Sequence, residues 1–332
     1  MPEKSKDFVL RKVNAMFSFY NSFKRFLGVY PSTLLIALLL AVGCSGGGSS
    51  RAGGAAQSTA TNVNPEVTVD DGSSTQVIEG FTLQSKNIQG LPEYTHDETG
   101  IEFVLLPGDE FEMGSPENEE GRGSTEGPVH TVTLSPFLIA KYEVTQTQYE
   151  SVMAGNIAGL DATPSRNYGK APLNPERPVE QVSWEVLKAA DGFLERTNLF
   201  LPSEAQWEYA CRAGQPGPYS GTGVLDDMGW QFHNTGGSHH PVGTKQANQF
   251  GLFDMHGNVY EWCEDFANED FYSTPEATNP DPVETSSRRE SRVIRGGSFH
   301  TSQPNARSAA RNLSSPKFPL FYVGFRPVMP LP

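Results

Sequence analysis

Short apolar runs that alternate with polar residues predict several strands in the first half of the folded region. Residues 101–106 (IEFVLL) end at a Pro-Gly pair, residues 129–134 (VHTVTL) alternate, and residues 137–140 (FLIA) are apolar throughout. Alternation with a period of two is typical of a strand with one buried face. We also expect a strand at 111–113 and a short one within 77–83 (VIEGFTL).

Three segments carry helical patterns. Thr145 can cap a helix that runs through Met153, and residues 183–196 place their apolar side chains on one face. Residues 203–213 begin with the Ser-x-x-Gln spacing of a capping box. The side chains expected to face inward from this last helix are Trp207, Ala210 and Cys211. Few helices and many turn residues indicate an α+β class with much irregular structure.

The N-terminal segment has the features of a secretory signal. Residues 34–42 (LLIALLLAV) follow Lys24 and Arg25, and this run is too short to cross a bilayer as a helix. The small residues that end at Cys44 resemble a bacterial lipobox. That resemblance implies a signal peptide at 1–43 and lipidation of Cys44, which would become the new N-terminus. The alternative is an ordinary signal peptide that happens to contain a cysteine.

A flexible tether is predicted after Cys44. Residues 45 to about 75 are mainly Gly, Ser, Ala, Thr and Asn, which cannot bury enough surface to offset the entropy of ordering. We therefore assign 44–98 to the lipidated cysteine and tether, and 99–332 to one globular domain. The expected location is the cell envelope, with the domain outside the cytoplasm and a lipid anchor in the outer membrane if the cell has two membranes. Met16 is an alternative start, because the residues before it add little to the signal.

Charge and cysteine content exclude several classes of function. The chain has 39 acidic and 25 basic residues, for a net charge of −14, and such a surface repels the phosphate backbone of nucleic acids. Its three cysteines form no CxxC pair, which excludes a thioredoxin-like motif and a zinc ribbon.

Specific sequence strings then occupy most of the domain. The longest is NQFGLFDMHGNVYEW at 248–262, and it is followed by RVIRGGSF at 292–299, RSAAR at 307–311 and GFR at 324–326. The upstream strings are FEMGS at 111–115, YEVT at 142–145, PVEQVSW at 178–184 and LPSEAQWEYA at 201–210. In this order over residues 100–328, they resemble the formylglycine-generating enzyme, or sulfatase-modifying factor, family. The resemblance implies a loop-rich C-type-lectin-like fold.

The resemblance also locates an oxidase site whose metal ligands this chain lacks. In catalytic members, two thiolates between the Gly-Gly-Ser string and the following Arg string hold copper(I), a soft pair for a soft metal. Here that interval is HTSQPNA at 300–306, without a cysteine. We therefore expect no bound copper, and we assign no catalytic residue.

Calcium is the metal that the resemblance favours. The family holds one ion with side-chain oxygens and backbone carbonyls that map onto Asp254, Gly257, Val259 and Glu261. Hard cations take several oxygen ligands from a tight turn, and the Gly-Asn pair supplies one. The alternative for Glu261 is a buried carboxylate that accepts backbone hydrogen bonds.

A second family calcium site is expected only in part. It would begin at Asn234 and use Glu126, but the rest of its loop is missing. The histidines at 233, 239 and 240 share one Gly-rich loop, and they either bind a metal or lie in a solvated turn.

Cys211 and Cys263 leave two interpretations open. In the catalytic relatives the thiol that matches Cys211 pairs with a position that is Ser308 here. Without that partner, Cys211 and Cys263 either form a bridge in an oxidising compartment or remain two inert buried thiols.

Two classes of function remain. The first is a non-oxidase binding or scaffold module for a protein or glycan outside the cytoplasm, since the framework strings are kept while the thiols are gone. The second is an enzyme that acts on exported proteins, by formylglycine generation or a related oxidoreductase reaction at a modified site. The expected binding surface consists of Ser298, His300, Ser302, Gln303, Asn305, Arg307 and Tyr322.

Overall fold

The computed structural model describes residues 77–165, 174–286 and 290–331. The predicted signal peptide, Cys44 and the tether up to residue 76 lie outside the described residues. In the part of the chain that is described, no helix is long and apolar enough to cross a membrane.

Within the described residues, eleven strands carry most of the regular structure. In chain order they are β1 Phe81–Lys86, β2 Pro92–His96, β3 Glu102–Leu106, β4 Asp109–Met113, β5 His130–Leu134, β6 Phe137–Ala140, β7 Tyr260–Phe266, β8 Arg292–Arg295, β9 Asn312–Ser314, β10 Val323–Gly324 and β11 Val328–Pro330. Of the strands predicted in the first half, four are confirmed as β3 to β6, and the one predicted within 77–83 overlaps β1 only at residues 81–83.

The helices are short. They are α1 Gln146–Met153, α2 Trp184–Leu187, α3 Phe193–Thr197, α4 Glu204–Arg212 and α5 Leu225–Met228, with 3-10 turns at Phe271–Ser273, Pro275–Thr278 and Gln303–Ala306. Thr145 and Ser203 each form a full capping box at the start of α1 and α4, as predicted.

The single helix predicted over 183–196 is wrong, because the chain forms α2 and α3 with a turn between them. Asp191 has a left-handed φ of 60°, and Gly192 lies so close to the preceding carbonyls that an added Cβ would be 2.6 Å from the oxygen of Val186. The Asp-Gly pair therefore ends the helical run despite its apolar periodicity.

The strands form two larger sheets and a separate pair. The first sheet has the order β1-β2-β3-β6-β11 and is antiparallel throughout, while the second has the order β10-β7-β8-β9, in which only β10 and β7 are parallel. Strands β4 and β5 pair with each other.

The folded unit begins before the expected boundary at residue 99. Strands β1 and β2 pair with β3, and the side chains of Phe81 and Tyr94 are buried in the core. The apolar residues of 77–98 are sparse, which is why the segment is assigned to the tether, yet three of them, Ile78, Phe81 and Tyr94, are buried in the core.

Two clusters of apolar side chains make up the core, and α4 connects the second of them to the sheets. Tyr149, Phe193 and Phe325 stack in the first cluster, and Trp207 lies in the second. Trp207, Ala210 and Cys211 are fully buried, as the capped helix predicted. This packing fixes α4 against β7 and β8, the two strands that carry the buried charges described next.

Candidate functional site

A buried ion pair between Glu261 on β7 and Arg326 joins the two larger sheets. Both residues are almost fully buried, and Arg326 Nη2 donates to Glu261 Oε1 at 2.7 Å while its Nε lies 2.8 Å from Oε2. Arg326 also donates to the carbonyls of Ala140, at the end of β6, and Phe253. Trp207 Nε1 donates to Glu261 Oε2 at 2.8 Å, so α4 is held at the same point.

Besides the Arg212–Glu208 pair within α4, three further arginine–glutamate pairs link distant parts of the chain. The four long-range pairs are Arg295–Glu208, Arg307–Glu126, Arg311–Glu204 and Arg326–Glu261. Burial alone would raise the pKa of Glu208, but Arg212 and Arg295 hold that pKa below its usual value. A buried carboxylate that stays ionised in this way needs its partner, so each pair fixes the chain on either side of it.

Residues 300–306 lie in the chain between two of these paired arginines, Arg295 and Arg307. Thr301 closes a small turn by donating its backbone N–H to Ser298 O at 3.0 Å, and its Oγ1 accepts from Ser298 N at 2.9 Å. The Phe299 N–H donates to Asn258 O at 2.7 Å, so the Gly-Gly-Ser string rests on the Gly-Asn turn. At its other end, His256 Nδ1 and Ala306 O are 2.8 Å apart.

The expected binding surface is only partly exposed. His300, Ser302 and Gln303 are exposed, and Asn305 and Tyr322 are half-buried.

Ser298 and Arg307 were wrongly assigned to that surface. Ser298 is fully buried beneath its own turn, and the Arg307 guanidinium is enclosed by Glu119 and Glu126. A serine beside two glycines and an arginine beside a surface loop give no sequence signal of burial.

Aromatic rings complete this surface, and sequence reasoning missed two of them. His300 lies against the rings of Phe321 and Tyr322, with centroids 5.4 and 6.3 Å apart. Phe232 is 65% exposed, and its backbone N–H donates to Thr301 O at 3.1 Å. A single phenylalanine in a Gly-rich loop carries no sequence signal that its ring is exposed.

Cys211 and His256 form a buried contact behind the interval, but not a reactive dyad. The sulfur lies 3.9 and 3.8 Å from the two ring nitrogens, so it faces the ring instead of one lone pair. Burial raises the pKa of Cys211 to about 12 and lowers that of His256 to about 4. Both groups are therefore neutral near pH 7, and no thiolate is available there.

The structure does not form the Cys211–Cys263 bridge, and both thiols are free and buried. The sulfur of Cys211 contacts Ser308 Oγ at 3.6 Å and Met255 O at 3.7 Å instead of another sulfur. Burial raises the pKa of Cys263 well above its ordinary value. Of the two interpretations drawn from the sequence, the structure corresponds to two buried thiols.

Of the side chains expected to bind the first calcium ion, Asp254 keeps a carboxylate oxygen without a hydrogen-bond partner and Glu261 does not. Asp254 is buried with a left-handed φ of 58°; its Oδ2 accepts from Gly243 N at 2.7 Å, and its Oδ1 has no hydrogen-bond partner. Glu261, in contrast, is committed to Arg326 and Trp207. Its carboxylate is buried, as the alternative held, although side chains and not backbone groups satisfy it.

Glu143 is a third buried carboxylate beside this turn, and sequence reasoning missed it. Its oxygens accept from Val259 N at 3.0 Å and from Asn258 Nδ2 at 2.6 Å. Burial raises its pKa well above the ordinary value, and the nearby charges of Asp254 and Glu261 add to that effect. Three buried carboxyl groups, those of Glu143, Asp254 and Glu261, share the single guanidinium of Arg326. An added positive charge would therefore stabilise the ionised forms of these carboxyl groups.

The second expected calcium site is not formed. Both oxygens of Glu126 are taken by Arg307, with further bonds from Ser115 and Gly123. The side chain of Asn234 closes its own turn, since its Oδ1 accepts from Gln231 N and its Nδ2 donates to Gly229 O.

The three clustered histidines point to different surroundings. His233 Nε2 lies 2.8 Å from the exposed carboxylate of Asp226, His240 stacks on Trp230 at 3.7 Å, and His239 is buried. Burial lowers the pKa of His239 to about 4. Neither a shared metal site nor a simple solvated turn describes them, and over the described residues no group of three His, Cys, Asp or Glu side chains is placed to hold a metal.

Comparisons with known proteins identify relatives over the same region. Residues 89–331 match the family model described as the sulfatase-modifying factor enzyme 1-like domain. The formylglycine-generating enzyme of Thermomonospora curvata is 31% identical over 71% of this chain and 96% of its own length. The chaperone protein LppX of Paenibacillus barcinonensis is 32% identical over 44% of this chain and 68% of its own length.

One further relative and one solved structure define the extent of the likeness. The serine/threonine-protein kinase pkn1 of Chlamydia caviae is 28% identical over 82% of this chain, but the chain spans only 46% of the kinase. The structure of PvdO from Pseudomonas aeruginosa matches with a TM-score of 0.62 and 26% identity, over 77% of this chain and 100% of PvdO. The expected formylglycine-generating-enzyme type of fold is thereby confirmed.

Breaking the central ion pair should be costly. We predict that Arg326→Met and Glu261→Gln each lower the free energy of unfolding by about 3–5 kcal/mol, since each leaves a buried polar partner unpaired. The double variant should lower the free energy of unfolding by less than the sum of the two single losses. Chemical denaturation of all four proteins measures the cycle.

The half-exposed Lys188–Glu264 pair, with an N–O distance of 2.9 Å, supplies the control. Lys188→Met should cost at most about 1 kcal/mol. If the Arg326 and Lys188 variants were equally stable, the buried pair would not have the structural role described here.

Proposed function

The chain belongs to the sulfatase-modifying factor enzyme 1-like family, and we propose that it is an exported lipoprotein whose domain binds a protein partner without copper-dependent oxidation. The site for the partner is the surface of His300, Ser302, Gln303, Asn305 and Tyr322. Copper(I) requires soft donors, and the interval 300–306 offers one imidazole together with hydroxyl and amide groups. The donor set therefore does not fit copper.

The state of the two thiols is the observation that carries this proposal. Cys211 and Cys263 are fully buried, and burial raises both pKa values, so neither supplies a thiolate to a bound substrate. Cys211 lies behind the interval, where it contacts Ser308 and His256. No step of thiol oxidation is available to these residues as they are placed.

A protein partner is supported by the relatives. LppX is named a chaperone protein, and the other relative is named for generating formylglycine, which is an amino acid. Exposed loops on a rigid framework are a common way to present such a binding surface. The resemblance of the fold does not decide this point, because function depends on the site.

An enzyme that acts on exported proteins through a modified site is the second candidate. It is favoured by the 31% identity to a formylglycine-generating enzyme over 96% of that enzyme's length.

A conversion assay separates the two candidates. The chain without its signal peptide, carrying Cys44→Ser, is incubated with a cysteine-containing sulfatase-motif peptide, copper(I) and oxygen beside an active formylglycine-generating enzyme. We expect mass spectrometry to find no conversion of thiol to aldehyde by this chain. Conversion would contradict the proposal, and Cys211→Ser and Cys263→Ser would then identify the thiol that supports it.

Lipid attachment at Cys44 is the second part of the proposal. The apolar run and small residues before this cysteine support it, as does the Gly- and Ser-rich segment after it. We expect the full chain, expressed in a bacterium with labelled palmitate, to carry the label and to sediment with membranes. Cys44→Ala should lose the label, and a label retained by that variant would contradict the assignment.

Calcium at the Gly-Asn turn is the third part. Asp254, whose Oδ1 is buried without a partner, would hold the ion together with the backbone carbonyls of Gly257 and Val259. A calcium ion there would supply the positive counter-charge for the carboxylates of Glu143 and Asp254. Glu261 remains bound to Arg326 and is left out of this ligand set.

Thermal unfolding tests the calcium site. We expect excess calcium to raise Tm by about 2 °C or more relative to chelator, because the ion binds only the folded state. Asp254→Asn keeps the left-handed turn but removes a charge, so its shift should be smaller. Glu110→Gln, at an exposed position, should respond as the unmodified chain does. Equal Tm values with calcium and with chelator would contradict the site.

A further inference from the structure

Among the segments of this acidic chain that contain no Asp, Glu, Lys or Arg, four lie at or beside the interval 300–306. They are 228–244, 296–306, 312–316 and 318–325, although 19% of the whole chain is charged. Segments of this kind are ordinarily apolar core, but these are rich in Asn, Gln, Ser, Thr and aromatic residues. Their composition is that of a polar protein surface that lacks only charged residues.

The four segments meet in space. Phe232 donates its backbone N–H to Thr301 O, and Thr235 Oγ1 donates to Phe299 O at 3.3 Å, which joins the first segment to the second. Asn312 Nδ2 donates to Tyr260 OH at 3.1 Å, and the Tyr260 ring lies 6.1 Å from that of Tyr322. We call the surface formed by these four segments the neutral face.

The charges that border the neutral face are engaged with other groups. The exposed Lys317 pairs with Glu290 at 3.1 Å, and Lys245 lies over the ring of Trp230. Each of the last three segments begins or ends at an arginine that is paired with a buried glutamate. These arginines are Arg295, Arg307, Arg311 and Arg326. The bordering charges are therefore already engaged, and a charged ligand would have to compete for them.

The exposed groups of the neutral face are flat rings and amides. Phe232 and His300 present their rings, with those of Phe321 and Tyr322 beside them, while Gln303 presents an exposed amide. An amide side chain donates and accepts at once, as a peptide group does. Exposed aromatic rings with few charges are typical of the centre of a protein-binding surface.

Strand β9 adds an edge of main chain to this face. It pairs with β8 on one side, and among the described strands nothing pairs on its other side. The N–H of Leu313 donates to the side chain of Asn312, which precedes it, and Leu313 is partly exposed. An open edge of this kind can pair with an extended polypeptide but offers little to a sugar.

We infer that the neutral face binds an extended, uncharged stretch of polypeptide that contains aromatic residues. This inference rests on the proposed binding function and names the class of its ligand. A charged ligand side chain would lose water on this face without gaining a counter-ion that is free of another partner, so charge should be selected against. The rest of the acidic surface attracts basic chains only through long-range forces, which salt screens.

Three peptides of equal length test the selection. One contains Ser, Asn, Thr and two Phe residues, and in the others two Ser positions are replaced by Asp or by Lys. The chain without its signal peptide, carrying Cys44→Ser, is titrated into each fluorescent peptide at about 50 mM and about 500 mM NaCl. We expect the uncharged peptide to bind about tenfold more tightly than either charged one, with little dependence on salt.

Two exposed positions locate the binding. Phe232→Ser should weaken binding of the uncharged peptide about tenfold. The control is Ile88→Ser, which removes an apolar side chain that is 98% exposed elsewhere on the chain and should leave this binding unchanged. Gln303→Lys should increase the affinity for the Asp-containing peptide about threefold relative to the unmodified chain. Each substitution is at an exposed side chain, so folding should be kept.

The outcomes separate this inference from the proposed function. Tightest binding of the Lys peptide, lost at high salt, would overturn the neutral face while leaving a protein-binding function in place. Uncharged binding that is unaffected by Phe232→Ser would overturn the location. Binding of a neutral oligosaccharide but of no peptide would overturn both the ligand class and the proposed protein partner.

Discussion

The fold depends on the buried pair of Glu261 and Arg326. Four parts of the chain meet at these two side chains: β7 through Glu261, the end of β6 through Ala140 O, the loop at Phe253 and helix α4 through Trp207. Only a charged, planar guanidinium can donate to so many acceptors at once, and only a carboxylate can compensate its charge away from water. A domain with so little regular secondary structure needs such points, because backbone ladders alone connect few of its loops.

The same arrangement separates framework from function. The loops between the buried arginines are fixed at their ends, so their interiors can change without loss of the fold. Loss of the thiols from 300–306 is therefore tolerated, while the strings that carry Arg295, Arg307, Arg311 and Arg326 are kept. A relative that oxidises its substrate and a relative that only binds it can share this framework.

Much of the fold follows from the sequence, but less of the site does. Alternation and capping signals located β3, β5, α1 and α4, because these signals are local. The break at Gly192 was missed because apolar periodicity continues through it, and the depth of Ser298 and Arg307 was missed because burial of a polar residue depends on partners distant in the chain. Glu143 contacts Val259, 116 positions away, and no local pattern announces such a pair. The thiol-free interval, by contrast, was evident from composition alone.

Copper(I) affinity tests most directly the claim that the oxidase site is absent. The chain with Cys44→Ser is titrated against a chromogenic copper(I) chelator under reducing, oxygen-free conditions, with an active formylglycine-generating enzyme in parallel. We predict that the enzyme removes copper from the chelator and that this chain does not, since Cys211 and Cys263 are buried as neutral thiols. One equivalent of copper taken up by this chain, and lost on Cys211→Ser or Cys263→Ser, would contradict it.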